Sequence, residues 1–165
     1  MKNPKQSSSI HSITYLENRY FMTKFLIFLG HVWASPITFL ALVYMGFFSL
    51  MKWYVFAGVY GNALVWTFNP DNSKVPMWLI KLWDHWGGQT FGSVVILSRP
   101  VESIHGAQTL KHEQEHVLQY MKLGILFPLL YGLFCLVIAI ALPSLHYYRD
   151  NLFERDAQEA AKLTK

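Results

Sequence analysis

The sequence predicts an α+β chain, mainly helical, in which an N-terminal membrane helix or helical hairpin precedes a small domain. That domain is expected to hold a short β-sheet, a helix with a metal-binding pattern, an apolar return helix and a ligand-bearing C-terminal helix. Three observations carry the prediction. Charged residues are only 15% of the 165 and hydrophobic residues 53%, whereas globular chains carry about 25% charge. The apolar run Phe25 to Met51 exceeds the roughly 20 residues that cross a bilayer. His112 and His116 stand four apart, on one face of any helix that contains them.

Residues 1–19 are polar, with Ser7-Ser8-Ser9 among them, and read as a disordered tail. Residues 20–53 form the membrane-associated helical segment. His31 and Pro36 interrupt it, which leaves one kinked span or two shorter helices as alternatives. Lys2, Lys5, Arg19 and Lys24 precede the run and favour a cytoplasmic N-terminus.

Residues 54–165 form the metal-binding domain. Ala63–Phe68 reads as a strand, Asn69-Pro70-Asp71-Asn72-Ser73 as a turn, and Val75–Trp86 as a short amphipathic helix ended by Gly87-Gly88. Its Trp78 and Trp83 suit core packing somewhat better than a membrane interface. Thr90–Leu97 is β-branched and apolar and reads as a strand. A helix then starts between Ser103 and Thr109 and ends at Gly124. The apolar run Ile125–Leu142 comes next, and a polar helix opens at Asp150-Asn151.

Lipid is the expected partner. The formal charge of +4 is scattered rather than striped, which argues against nucleic acid and for attraction to anionic lipid. The mean hydropathy of +0.23 agrees. The lone Cys135 permits neither an intrachain disulfide nor a cysteine-based metal site.

The chemistry concentrates at His112-Glu113-Gln114-Glu115-His116, an H-E-x-x-H pattern. Imidazoles at i and i+4 bind one zinc ion, and a neighbouring glutamate activates its water. Relative to His112, His116 falls at about 40°, Glu113 at about 100° and Glu115 at about 300°. Geometry therefore leaves both glutamates open as the base. Gln119 returns to the histidine face and is a candidate for contact with a ligand histidine or substrate.

Glu154 is the candidate third ligand. Ala157 and Ala161 share its face and would let two helices approach closely, whereas Asp156 falls about 200° away. The competing reading of Asn151-x-x-Glu154 is a capping box. The ligands must meet at one ion, so either the metal site is false or Ile125–Leu142 does not cross a bilayer; an 18-residue helix covers about 27 Å, enough to pack back along the His helix, and this return is the preferred reading.

With Glu154-Arg155-Asp156-Ala157 in place, the chain resembles the gluzincin class of zinc metallopeptidases. It also looks like a group of small bacterial membrane-associated proteins, through Gln119-Tyr120 and Asn151-Leu152-Phe153-Glu154. The resemblance implies a zincin-like domain holding one zinc ion on His112, His116 and Glu154, with Glu113 as general base. It implies a peptide or protein substrate laid along Thr90–Leu97, and residence in a bacterial inner membrane. Gln158 stands where gluzincins often carry an aspartate, so it, Glu115, Gln119 and Asp156 are candidates for orienting the ligands. Tyr147 and Tyr148 are candidate oxyanion stabilisers.

Two other readings compete. Glu102-x-x-His105 with Glu113-x-x-His116 mimics a di-iron signature, but the two motifs lie about 16 Å apart on one helix. A membrane scaffold with a structural metal would need a fourth ligand such as His105 or His146. His11, His31 and His85 show no ligand spacing.

Overall fold

The computed structural model describes residues 4–69, 75–142 and 144–162, apart from the side chains of 4–21 and 82–84. Its first element is one helix, α1, Pro4–Leu50. One expectation is corrected here and one alternative is decided. The polar segment is helical from Pro4, because proline in a first turn sacrifices no hydrogen bond and neither glycine nor proline recurs before Gly30. Nor does Pro36 make a hairpin. Proline lacks the N–H that the Val32 carbonyl would accept, but the Ser35 hydroxyl donates to that carbonyl at 2.7 Å and the helix continues. Met22–Leu50 is long and apolar enough to cross a membrane, and only 17% of its most apolar window is buried.

Two hairpins build a four-stranded sheet in the order β1-β2-β4-β3. The first joins β1, Tyr54–Tyr60, to β2, Ala63–Phe68. The second joins β3, Gly88–Phe91, to β4, Val94–Leu97. The expected single strand Thr90–Leu97 is therefore two strands. Gly92 at φ 63° turns the chain there, a conformation that glycine adopts without strain. β2 and β4 run parallel, β4 is buried throughout, and β3 is left as an edge. The turn cluster after Asn69 lies outside the described residues as far as Ser73.

α2, Met77–Trp86, forms as its periodicity predicts. Leu79 is buried, but Trp78 and Trp86 are exposed. The core role expected of Trp78 is thus not met; Trp83 lies outside the described side chains.

α3, Ile104–Leu123, carries the histidines. Ser103 caps it by accepting from the Gly106 N–H at 3.0 Å, and Gly124 ends it at φ 57°. Leu110 and Val117 pack on Val65, Val95 and Leu97 of the sheet. α4, Leu126–Ala141, leaves α3 bent through 113°. The expected antiparallel return is corrected in this respect: α5, Leu152–Lys162, takes the place alongside α3. Fully buried Ala157 has no bulk to hold the two helices apart. Ala34 of α1, Tyr120 of α3 and Phe127 of α4 meet in one cluster, against which Phe153 of α5 packs.

Candidate metal centre

Three side chains from two helices converge. His112 Nε2 and His116 Nε2 lie 3.2 Å apart. Glu154 places Oε2 3.2 Å from His112 Nε2 and Oε1 3.3 Å from His116 Nε2. These three residues can hold a metal ion, and no further His, Cys, Asp or Glu joins the group among the described residues. His105 and His146 are exposed elsewhere. Glu102 is exposed as well, which leaves the di-iron pattern without a second cluster among the described residues.

Hydrogen bonds around the group fix its protonation. Gln119 Nε2 donates to the Phe153 carbonyl at 3.0 Å, so its Oε1 faces His116 Nδ1 at 2.8 Å. An amide oxygen only accepts, so Nδ1 carries the proton. In neutral His116, Nε2 then presents a lone pair to Glu154 Oε1, also an acceptor. Two acceptors at that distance require a positive charge between them, either a proton or a metal ion. Buried Glu154 Oε2 faces His112 Nε2 at 3.2 Å. A buried carboxylate against imidazole nitrogens needs a proton or a cation between them, and a metal ion among the three side chains would supply that charge.

The electrostatics point the same way. Burial alone would raise the Glu154 pKa, but the two imidazoles and the Tyr131 hydroxyl overcome it and hold the group well below the usual carboxylate range. Burial opposes protonation of His116, yet Glu154 and Glu113 raise its pKa above the ordinary value of 6.5. Glu113 behaves oppositely to Glu154: its burial outweighs the nearby histidines, and its pKa rises.

The structure separates the two glutamates that helical angles leave equivalent. Glu113 is buried, accepts from the Thr90 hydroxyl at 2.7 Å, and lines a cavity of about 260 Å³ with His116 and Glu154. Glu115 is half-buried and outside that cavity. The cavity runs from β3 to α4 and reaches Tyr148. Tyr148 is raised in pKa by partial burial and by the charges of Glu154 and Glu113.

The remaining candidates divide. Gln119 reaches a ligand histidine. Asp156 is exposed and Gln158 half-buried, and neither lines the cavity. Asp156 sits about 200° from Glu154 around α5, and Gln158 is a full turn beyond Glu154 along it. Tyr147 stacks on His146 with ring centroids 5.1 Å apart and also lies outside the cavity. The capping-box alternative for Glu154 is half realised. Asn151 Oδ1 caps α5 by accepting from the Phe153 N–H at 3.0 Å, while Glu154 turns to the histidines instead of back to the cap.

Two residues escape the sequence reading. Tyr131 donates to Glu154 Oε1 at 2.7 Å; its signal is a phenolic hydroxyl within the uncharged run Ile125–Leu142. Thr90 reads only as part of a strand. Gly88, which reads as a helix stop, lets β3 lie against α3. A Cβ there would sit 2.9 Å from Glu113 Oε1 and 2.8 Å from Thr109 Cγ2.

No family model, curated protein or solved structure matches the chain.

Proposed function

We propose that this chain is a membrane-associated zinc-dependent metallopeptidase of gluzincin type. One observation carries the reading: His112 Nε2 and His116 Nε2 stand 3.2 Å apart and each lies 3.2–3.3 Å from one of the two oxygens of Glu154, beside a cavity that contains a buried glutamate. Tetrahedral zinc with bonds of 2.0–2.1 Å requires ligand atoms about 3.3–3.4 Å apart. Two imidazoles and one carboxylate are a donor set of catalytic zinc sites, which keep one position for water.

When bound, zinc supplies a Lewis acid and lowers the pKa of water. The chain's own groups do the rest. Glu113 takes the proton from the attacking water and returns it to the departing amine. Thr90 orients Glu113 through its hydroxyl. Edge strand β3, the correction to Thr90–Leu97, offers free backbone groups to an extended peptide. Tyr148 donates from the cavity wall to the oxygen that gains charge in the transition state. Gln119 holds His116 in the tautomer with a free Nε2.

The test is Glu113→Gln in purified protein. The variant should bind about one zinc per chain, as the parent does, and lose roughly 10²–10⁴-fold in casein hydrolysis. A parent protein that binds zinc but cleaves no polypeptide would shift the reading to a scaffold with a structural metal.

A further inference from the structure

The domain does not merely succeed the membrane helix in the chain; it is packed along it. Gly30 approaches Met121 so closely that a Cβ would lie 2.9 Å from the Met121 Cβ. His31 Nδ1 bonds the Ser93 hydroxyl at 2.9 Å. Trp33 lies against Gly124, with its Nε1 2.5 Å from where a Cβ would be. Ala34 shares a buried cluster with Phe127, and the Thr38 hydroxyl accepts from the Ser93 N–H at 2.9 Å.

A bilayer core takes about 20 helical residues. Any such window within Met22–Leu50 includes residues 31–41. The partners of His31, Trp33, Ala34 and Thr38 are therefore at hydrocarbon depth wherever the span is centred. Those partners include the α3–α4 turn and Phe127, a wall of the cavity.

α4 is built for that depth. Leu126, Leu129, Leu133, Leu136, Val137 and Ile140 are exposed and fall within about 100° of one another around the helix. Its inner face carries Phe127, Tyr131 and Ile138. A helix apolar on both faces is covered by protein on one side and by lipid on the other. It does not cross, because Asn151 Nδ2 donates to the Tyr131 carbonyl at 3.2 Å and Glu154 reaches the histidines. On α5, by contrast, the exposed residues include Arg155, Asp156 and Glu159, which require water. The cavity between them has exposed aromatics at its rim: Trp86, Phe91 and Tyr148, residue types that collect at membrane interfaces.

We infer that α4 lies in the lipid without crossing it and that the cavity opens at the bilayer surface, where its substrate is a polypeptide anchored in the same membrane. The substrate class rests on the peptidase reading; the immersion does not.

The experiment uses the full chain in phospholipid nanodiscs, with Cys135→Ser as background so that Asn151 keeps a side-chain acceptor. Nitroxide labels go on Leu133→Cys, Ile140→Cys and Glu159→Cys, all exposed positions. The α4 labels should be relaxed more by oxygen than by a water-soluble nickel chelate, and the α5 label the reverse. Nickel-dominated relaxation at Leu133 and Ile140 overturns the immersion. The zinc-loaded protein is then given β-casein, either free or coupled by its N-terminal amine to a phospholipid. Coupled casein should be cut at least about tenfold faster. Its cuts should cluster within about ten residues of the anchor, the roughly 33–36 Å that such a stretch spans. Equal rates, or cuts spread along the chain as in free casein, overturn the substrate class. If neither casein is cut, the peptidase reading falls and the substrate class with it, while the nitroxide result alone decides the immersion.

Discussion

α4 and α5 reach the same carboxylate with opposite outer faces. α5 supplies Glu154 itself and turns charged residues outward. α4 supplies the Tyr131 hydroxyl that bonds Glu154 and turns leucines outward. The two helices are joined at Asn151, whose side chain bonds the α4 backbone and caps α5. The difference teaches that neither helix can be judged by composition alone. The polar helix holds its most important residue buried, at 2% exposure, and the apolar helix contributes through its one tyrosine.

The comparison can be broken first at α5. Glu154→Ala should abolish stoichiometric zinc binding, measured by metal analysis after dialysis. It should also erase the zinc-dependent rise in thermal stability, about 2.7 kcal/mol at a hundredfold excess of zinc over Kd. Retained zinc would remove Glu154 from the ligand set.

Outer surfaces come next. Leu133→Asp on α4 should cost about 2.5–3.5 kcal/mol in bilayer-embedded protein, whereas Glu159→Gln on α5 should stay within about 0.5 kcal/mol. Denaturation in nanodiscs measures both, and equal costs would dissolve the contrast between the helices. Tyr131→Phe tests the inner contribution of α4. Loss of its bond to the ligand carboxylate should weaken zinc by roughly 10–100-fold, as for other groups that orient metal ligands, with the fold unchanged by circular dichroism.

The smallest effect expected is a pH shift. A proton and zinc compete for the His116 lone pair. Because the folded His116 pKa is raised above 6.5, its protonated form stabilises the metal-free protein fully below that value, and this contribution is lost as pH rises through the raised pKa. The stabilising increment from zinc runs the other way: it should shrink as pH falls through the raised value. Melting curves with and without zinc across pH 5–8 measure it.

Much of the helical framework and the ligand set is legible in the chain. Ser103 and Gly124 bracket α3 because capping chemistry is local, and His112, His116, Gln119 and Glu154 are read from helical angles plus one motif. The sheet is harder. Gly61-Asn62 and Gly92-Ser93 are both two-residue hairpin signals, but the continuous apolar character around Gly92 disguises two short strands as one; β2 is read at its observed bounds, whereas β1 is not read as a strand. Tertiary choices are not legible at all. Angles cannot tell Glu113 from Glu115, because the selection is made by Thr90 and the sheet edge, 23 residues away in sequence. The bend after Gly124 and the repair of Pro36 by Ser35 likewise depend on neighbours that periodicity does not see.

Gly88 sets how closely the sheet edge approaches the carboxylate of Glu113. With no Cβ on that strand residue, the side chains of Glu113 and Thr109 lie directly against the strand. A single methyl group there would have to displace both the Glu113 and the Thr109 side chain. The missing Cβ makes the distance between the sheet edge and the Glu113 carboxylate a property of how two secondary-structure elements are seated.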